Sequence, residues 1–135
     1  MKTATSFNEN QFKAKIVHLI ISRETEKALE LLSQNCHVPT PKLKVGMPKR
    51  DVKHQGCYVV RNKTIHVANR ENLYNPYIIL HEFYHHLRTS GTTHRGTEKN
   101  ADKFAREYIA TYYTLFGFYC DLNSAKTFPI IGDKR

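Results

Sequence analysis

The segment from residue 75 to residue 88, NPYIILHEFYHHLR, constrains the fold more than any other part of the chain. Asn75 can accept hydrogen bonds from the free amides of a first helical turn, and Pro76 has no amide that needs a partner. His81 and His85 are four residues apart, which places them about 40° apart on one helix face. The sequence therefore predicts a helix that begins at the Asn-Pro pair, ends near the last residue of the segment and carries two imidazoles on one face.

The His-Glu-x-x-His pattern within this helix is typical of a metal centre. Two imidazoles one turn apart can share a divalent ion, and an imidazole nitrogen binds zinc at about 2.0 Å. Glu82 is turned about 100° from His81, so its carboxylate can reach a water at the ion without being a ligand. Zinc hydrolases use this arrangement, because the metal acidifies the water and the carboxylate removes its proton. We interpret His81 and His85 as zinc ligands and Glu82 as catalytic.

A third zinc ligand is needed, because catalytic zinc sites usually have three protein ligands and one open position. Glu98, the first residue of EKNADKFA, is the favoured candidate, since a helix restrains a ligand better than a loop does. His94, on the Gly-flanked loop before it, is the alternative. Asp102 lies one turn after Glu98 and is predicted to accept a hydrogen bond from the remote nitrogen of a ligating histidine. His86 points away from the ligands, and we interpret it as a supporting or surface residue.

The remaining pattern predicts one α+β domain over residues 1–135. Residues 6–35 have apolar positions at helical spacing, with a capping box from Ser6 and Glu9 and an interruption near Ser22. Three series with a period of two then predict strands, and the turn RNKT joins the last two as a hairpin. The strand positions are Leu43 and Val45, then Tyr58 and Val60, then Ile65 and Val67.

The chain beyond the histidine-bearing helix is predicted to form another helix and a tail. Thr97 can cap a helix that begins at Glu98 and carries apolar residues at helical spacing. Residues 120–135 form the predicted C-terminal tail, which has its own apolar residues. The predicted architecture is therefore an N-terminal helix, a small three-stranded sheet, the helix with the two histidines and a final helix with the acidic ligand.

The composition restricts the partners and the compartment. The net charge of +9 favours contact with phosphate backbones or acidic polypeptides, although no nucleic-acid-binding motif accompanies it. The three cysteines are widely spaced, so neither a disulfide framework nor a thiolate zinc site is indicated. The apolar runs are too short to cross a membrane, and the N-terminal residues lack the apolar core of a secretion signal. These features predict a cytoplasmic protein without a membrane partner and leave the oligomeric state open.

With HEFYH followed by EKNAD, the sequence resembles the gluzincin clan of zinc metallopeptidases, whose pattern is HExxH and a downstream glutamate in an ExxxD arrangement. It is most similar to the minigluzincins, which are very small prokaryotic and archaeal members. The segment EKNADKFA is also similar to the ExxAxxFA motif of repressor-cleaving metallopeptidases. The resemblance implies zinc ligation by His81, His85 and Glu98. It also implies that Glu82 is the general base and acid, and that Asp102 supports a ligand.

The resemblance further implies a minimal zincin fold that binds a peptide substrate in extended form along an edge strand. Residues 65–68 are the candidate for that strand. The candidates for the donor that stabilises the oxyanion are His94, Tyr108 and Tyr112. The tail is predicted to keep the enzyme latent by blocking the zinc site, through Cys120 or Asp121.

An alternative function belongs to a different class. In this reading the protein is a zinc-stabilised, nucleic-acid-associated regulatory protein without peptidase activity, and the histidine motif organises the fold. The two readings differ in their dependence on Glu82, because its replacement by glutamine abolishes peptide cleavage only if the protein is a peptidase.

Overall fold

The computed structural model describes residues 2–48, 54–90 and 97–117, which form an α+β fold. The α-helices of this part are α1 (Lys2–Ile21), α2 (Thr25–Cys36), α3 (Pro76–Ser90) and α4 (Glu98–Tyr112). The strands are β1 (Lys42–Val45), β2 (Gly56–Val59) and β3 (Thr64–Val67). A 3₁₀ helix (Arg70–Tyr74) precedes α3, and a π-helical turn (Tyr113–Gly117) follows α4. This is the minimal zincin-like layout predicted from the sequence. None of the described helices is long and apolar enough to cross a membrane.

The N-terminal apolar pattern forms two helices, α1 and α2. The predicted interruption near Ser22 is confirmed, since α1 ends one residue earlier and Arg23 has a positive φ of 72°. The predicted capping box of Ser6 and Glu9 is wrong, because α1 begins at Lys2 and Ser6 lies inside the helix. The turn between the helices lets α2 pack against α1.

The three strands lie in the order β1-β3-β2, with β3 in the centre. The predicted hairpin is confirmed: β2 and β3 are antiparallel, and the amide of Lys63 donates to the carbonyl of Val60 (3.2 Å) in the turn between them. Val60 belongs to this turn rather than to a strand and is 55% exposed. β1 pairs in parallel with the other side of β3. The prediction that residues 65–68 form a substrate-binding edge strand is therefore wrong, because β3 is paired on both sides.

Side-chain caps fix the first residues of α3 and α4. Asn75 directly precedes α3, which begins at Pro76, and its Oδ1 atom accepts a hydrogen bond from the amide of Tyr77 (3.0 Å). The hydroxyl of Thr97 accepts from the amide of Asn100 (3.0 Å) at the start of α4. Both predicted helix starts are confirmed, and the second places Glu98 at the first position of its helix.

The core lies between the sheet and the helices. α3 packs against β2 and β3 and also against α4, while α1 packs against α2 and α4. Burying an aliphatic or aromatic side chain of this kind stabilises a fold by about 1.5–3 kcal/mol. Side chains with 0% exposure include Ile16, Ile20, Ile65, Val67, Ile79 and Phe83. The packing holds α3 on two sides and leaves its histidine face toward α4.

His86 is a buried cross-link between α3 and the rest of the fold. It is 0% exposed, so the surface alternative of its interpretation is wrong. Its Nε2 lies 2.6 Å from the carbonyl of Pro39, and its Nδ1 lies 2.7 Å from the hydroxyl of Tyr58. Because a carbonyl only accepts, Nε2 carries the proton and Nδ1 accepts from the tyrosine. Burial lowers the pKa of His86, which keeps this neutral form.

Candidate metal centre

The candidate site lies where α3 and α4 face each other. Residues spaced by four share one face of a helix. On α3 these residues are Tyr77, His81 and His85, and on α4 they are Glu98 and Asp102. Tyr77 contacts Asp102, whereas His85 approaches Glu98, so the two rows meet in opposite chain directions. Two short periodic patterns thus become one cluster of polar side chains.

Glu98 bridges the two histidines of the motif. Its Oε1 is 2.8 Å from Nε2 of His81, and its Oε2 is 3.2 Å from Nε2 of His85. One ligand atom from each of the three residues lies within 4.8 Å of the others, a grouping that could hold a metal ion. The side chains of His81 and His85 are 13% and 18% exposed, whereas that of Glu98 is 78% exposed. The cluster therefore has a sheltered imidazole side and an open carboxylate side.

The donor atoms of this cluster fit a metal ion. Nε2 of His85 is buried, and within the described residues it has no hydrogen bond of good geometry, only the 3.2 Å contact with Oε2 of Glu98. A buried polar atom that lacks a good hydrogen bond is costly in a folded protein unless a ligand engages it. Burial also lowers the pKa of His85, which favours the neutral ring that can bind a metal. Two imidazole nitrogens and a carboxylate oxygen form a suitable ligand set for a divalent cation.

Asp102 approaches the other ring nitrogen of His81. Its Oδ1 is 2.9 Å from Nδ1 of His81 but does not form a hydrogen bond with it, so the contact is electrostatic. Nε2 of His81 donates a hydrogen bond to Oε1 of Glu98 in this metal-free structure, and a carboxylate beside Nδ1 would hold the ring proton there if Nε2 bound a metal instead. Tyr77 donates a hydrogen bond from its hydroxyl to the same oxygen of Asp102. The structure thus joins Tyr77, Asp102 and His81 in one chain of polar contacts.

Glu82 lies on the other flank of α3, beside strand β2. It is 8% exposed and lines the same cleft as the two histidines. A Cβ atom at Gly56 of β2 would lie only 2.6 Å from Cγ2 of Ile78 and 3.6 Å from Cγ of Glu82. The strand can approach α3 this closely because Gly56 has no side chain. This close packing places a strand backbone directly beside the carboxylate.

The cleft between β2 and α3 has a volume of about 520 Å³. On the strand side its described lining comprises His54, Gln55, Gly56, Cys57, Tyr58 and Val60. On the helix side the lining comprises Tyr77, Ile78, His81, Glu82, His85, Thr89 and Glu98. The cluster that could hold a metal ion, the acidic residue of the motif and an edge strand therefore share one open cavity.

The remaining candidates lie elsewhere or outside the described residues. Tyr108 is 6% exposed and packs against Phe104 in the core. Tyr112 packs against Tyr113 and Phe116. Neither Tyr108 nor Tyr112 is among the described residues that line the cleft, so the structure does not bring them to the site. The rival ligand and oxyanion candidate His94 lies outside the described residues, as does the tail with Cys120 and Asp121, and its proposed latency stays a prediction.

Two residues of the site were not selected from the sequence. Tyr77 was missed although it precedes His81 by four residues, and that spacing was the available signal. Gly56 has no comparable signal, because only the packing of β2 on α3 shows why a side chain would be excluded there.

Comparisons with known proteins add no relative, since no family model, curated protein or solved structure matches this chain.

Proposed function

We propose that the protein is a small zinc-dependent metallopeptidase of the gluzincin type, most like the minigluzincins. The observation that carries the proposal is the cluster of His81, His85 and Glu98 in one cleft with the buried carboxylate of Glu82. Two imidazoles and a carboxylate leave a fourth position open, as hydrolytic zinc sites require. Glu98 lines the cleft, so a substrate in the cleft could approach an ion held by these three residues.

The proposed chemistry is the hydrolysis of a peptide bond. Zinc bound by the three ligands would supply a Lewis acid that makes water nucleophilic at neutral pH. Glu82 would take the proton of the attacking water and deliver it to the leaving amine. The low exposure of Glu82 keeps competing solvent away from that proton transfer. Asp102 holds the ring of His81 in the orientation that binding requires.

The strand that would bind an extended substrate is β2, which is an edge strand of the described sheet. Gln55 pairs with Ala68 by a backbone hydrogen bond (2.8 Å), and such pairs alternate along antiparallel strands. The amide and carbonyl of the next residue, Gly56, are therefore directed away from β3. A peptide in extended form can add to this edge by main-chain hydrogen bonds and lie across the cleft beside Glu82.

The decisive test separates zinc binding from catalysis. Purified protein is analysed for zinc and then assayed for cleavage of an unfolded protein such as reduced casein. We expect one equivalent of zinc in the wild type and in Glu82→Gln, and loss of zinc in His85→Ala. We also expect cleavage to fall by at least about 10³-fold in Glu82→Gln, because the substitution removes the proton acceptor.

Matched variants control for the loss of a histidine or a carboxylate as such. His18→Ala removes an exposed histidine from α1, and Glu71→Gln removes an exposed carboxylate that is not among the described residues lining the cleft. Both should keep wild-type zinc content and cleavage. Full cleavage by Glu82→Gln, or full zinc content in His85→Ala, would refute the proposal.

A second candidate function follows from the charge of the sheet. Lys42, Lys44, Arg61 and Lys63 are all exposed, and none of them forms an ion pair within the described ranges. Lys42 and Lys63 are neighbours, since the amide of the first donates to the carbonyl of the second (2.9 Å). Four unpaired cations at one sheet suit the phosphate backbone of a nucleic acid. This supports the alternative of a zinc-stabilised, nucleic-acid-associated regulatory protein.

Salt dependence distinguishes this candidate from the first. Binding to a fluorescent DNA duplex is measured by anisotropy at several salt concentrations. If the sheet binds phosphates, Lys42→Ala/Lys63→Ala should lower the slope of log K against log salt by about 2. Lys15→Ala/Lys27→Ala removes the same charge from exposed sites on α1 and α2 and should leave the slope unchanged. Equal slopes in the two double variants would refute the candidate.

A further inference from the structure

Asp102 has competing partners on its own helix. Lys99, Lys103 and Arg106 line the same shallow groove as Asp102 on the surface of α4. The side chain of Asp102 is 41% exposed, so a modest rotation would bring its carboxylate into contact with water and these cations. Nevertheless, Asp102 forms no ion pair with Lys99, Lys103 or Arg106 in the described structure, and it faces His81 instead. Some other contact must favour the inward orientation.

The hydroxyl of Tyr77 supplies that contact. It donates a hydrogen bond to Oδ1 of Asp102, the same oxygen that approaches Nδ1 of His81. A carboxylate oxygen only accepts, so the phenol is the donor in this contact. The phenol is itself restrained, because its ring lies 5.7 Å from the ring of His81 and the guanidinium of Arg106 lies 5.7 Å from its centroid. Arg106 thus contacts the aromatic ring rather than the carboxylate.

We propose that Tyr77 is a positioning residue of the metal centre: its hydroxyl holds the carboxylate of Asp102 against Nδ1 of His81 and away from the cations of α4. With a metal ion in place of the hydrogen bond between Nε2 of His81 and Glu98, this contact would hold the ring proton on Nδ1 and leave Nε2 for the ion. The inference rests on the metal centre of the proposed function. It adds a residue that contacts neither the ion nor the reacting atoms and acts only through Asp102.

The test measures zinc affinity by competition with a chromophoric chelator. Tyr77→Phe keeps the ring and removes only the hydroxyl, and we expect zinc to bind about tenfold more weakly, the lower end of the effect of losing a supporting contact. Asp102→Asn should weaken binding by about 10–100-fold. Because Tyr77 acts through Asp102, the double variant should bind zinc no more weakly than Asp102→Asn alone.

Tyr84→Phe is the matched control. Tyr84 lies on the same helix with its ring 6.1 Å from that of His85, and its hydroxyl makes no hydrogen bond within the described residues. The Tyr84→Phe variant should bind zinc with the same affinity as the wild type. The thermal midpoint of metal-free Tyr77→Phe should stay close to that of the wild type. If Tyr77 had a purely structural role, the substitution would lower this midpoint, and its effect on zinc affinity would add to that of Asp102→Asn.

Two results would overturn the inference. One is a zinc affinity of Tyr77→Phe equal to that of the wild type. The other is that Tyr77→Phe lowers the zinc affinity by the same factor in the wild type and in the Asp102→Asn background. Both presuppose that the wild type binds zinc through His85 and Glu98. If the wild type fails to bind zinc, or if His85→Ala binds it equally well, the metal centre itself is refuted.

Discussion

Adding one methyl group at Gly56 tests how β2 is seated on α3. In Gly56→Ala the new Cβ would lie 2.6 Å from Cγ2 of Ile78, whereas ordinary contacts begin near 3.4 Å. Isoleucine is branched at Cβ, so this methyl cannot swing away without a change of χ1. Either the strand or the helix must therefore shift, and overpacking of this kind costs about 1–3 kcal/mol.

A smaller effect acts in the opposite direction. Alanine restricts the unfolded chain more than glycine does, which stabilises the folded state by about 0.4–1 kcal/mol. The expected net loss in the free energy of unfolding is therefore about 1–2 kcal/mol. For a domain of this size, that corresponds to a fall of roughly 4–8 °C in the thermal midpoint. Urea unfolding followed by circular dichroism measures the free energy directly.

A double-mutant cycle shows whether the steric contact is the cause. Ile78→Ala removes the clashing methyl, so Gly56→Ala should cost close to nothing in that background. Gly46→Ala is a matched change with a different origin, because Gly46 has a φ of 116° and nothing within 4 Å of the added Cβ. Its cost should be the same with and without Ile78. The reasoning fails if Gly56→Ala is as stable as the wild type, or if its penalty persists in the Ile78→Ala background.

Two further predictions concern His86 and the cap of α4. Burial lowers the pKa of His86 below its ordinary 6.5, so the stability from its neutral form is present above pH 6.5 and lost as the pH falls below it. The urea midpoint of the metal-free protein should drop between about pH 7.5 and about pH 5.5, and His86→Gln, which cannot titrate, should show a smaller drop. Thr97→Ala removes the cap beside Glu98 and should cost about 1 kcal/mol and weaken zinc binding. Thr111→Ala, which removes an exposed hydroxyl bonded to the carbonyl of Glu107 within the same helix, should change neither, and equal effects would contradict the role of the cap.

Local sequence signals predicted the structural features that depend on contacts between residues close together in the sequence. Asn75 and Thr97 mark helix starts because their side chains bond amides two or three residues away. The turn RNKT closes the β2-β3 hairpin over four residues. The four-residue spacing of His81 and His85 brings their rings to 5.2 Å on one helix face. Each of these features depends on contacts within a few residues along the chain.

Local sequence signals did not predict features that depend on contacts between segments far apart in the sequence. β3 has the alternation of any half-buried strand, and only its parallel pairing with β1 makes it central. His86 is rotated by about 100° around the helix axis from His85, which predicts that the two side chains point in different directions. This rotation does not predict that His86 contacts Tyr58 and Pro39. Tyr77 could be placed on the histidine face by spacing, yet its partner Asp102 is 25 residues away.

The sequence by itself determined that His81 and His85 share a face, that Glu98 begins a helix, and that Asp102 follows Glu98 by one turn. Only the tertiary structure decided that α3 and α4 lie antiparallel with these rows in contact, and that β2 rather than β3 borders the cleft. The physical reason is the range of the forces involved. Helix periodicity and caps depend on bonds between near neighbours, whereas the choice of facing surfaces depends on the packing of the whole core, to which every helix and strand contributes.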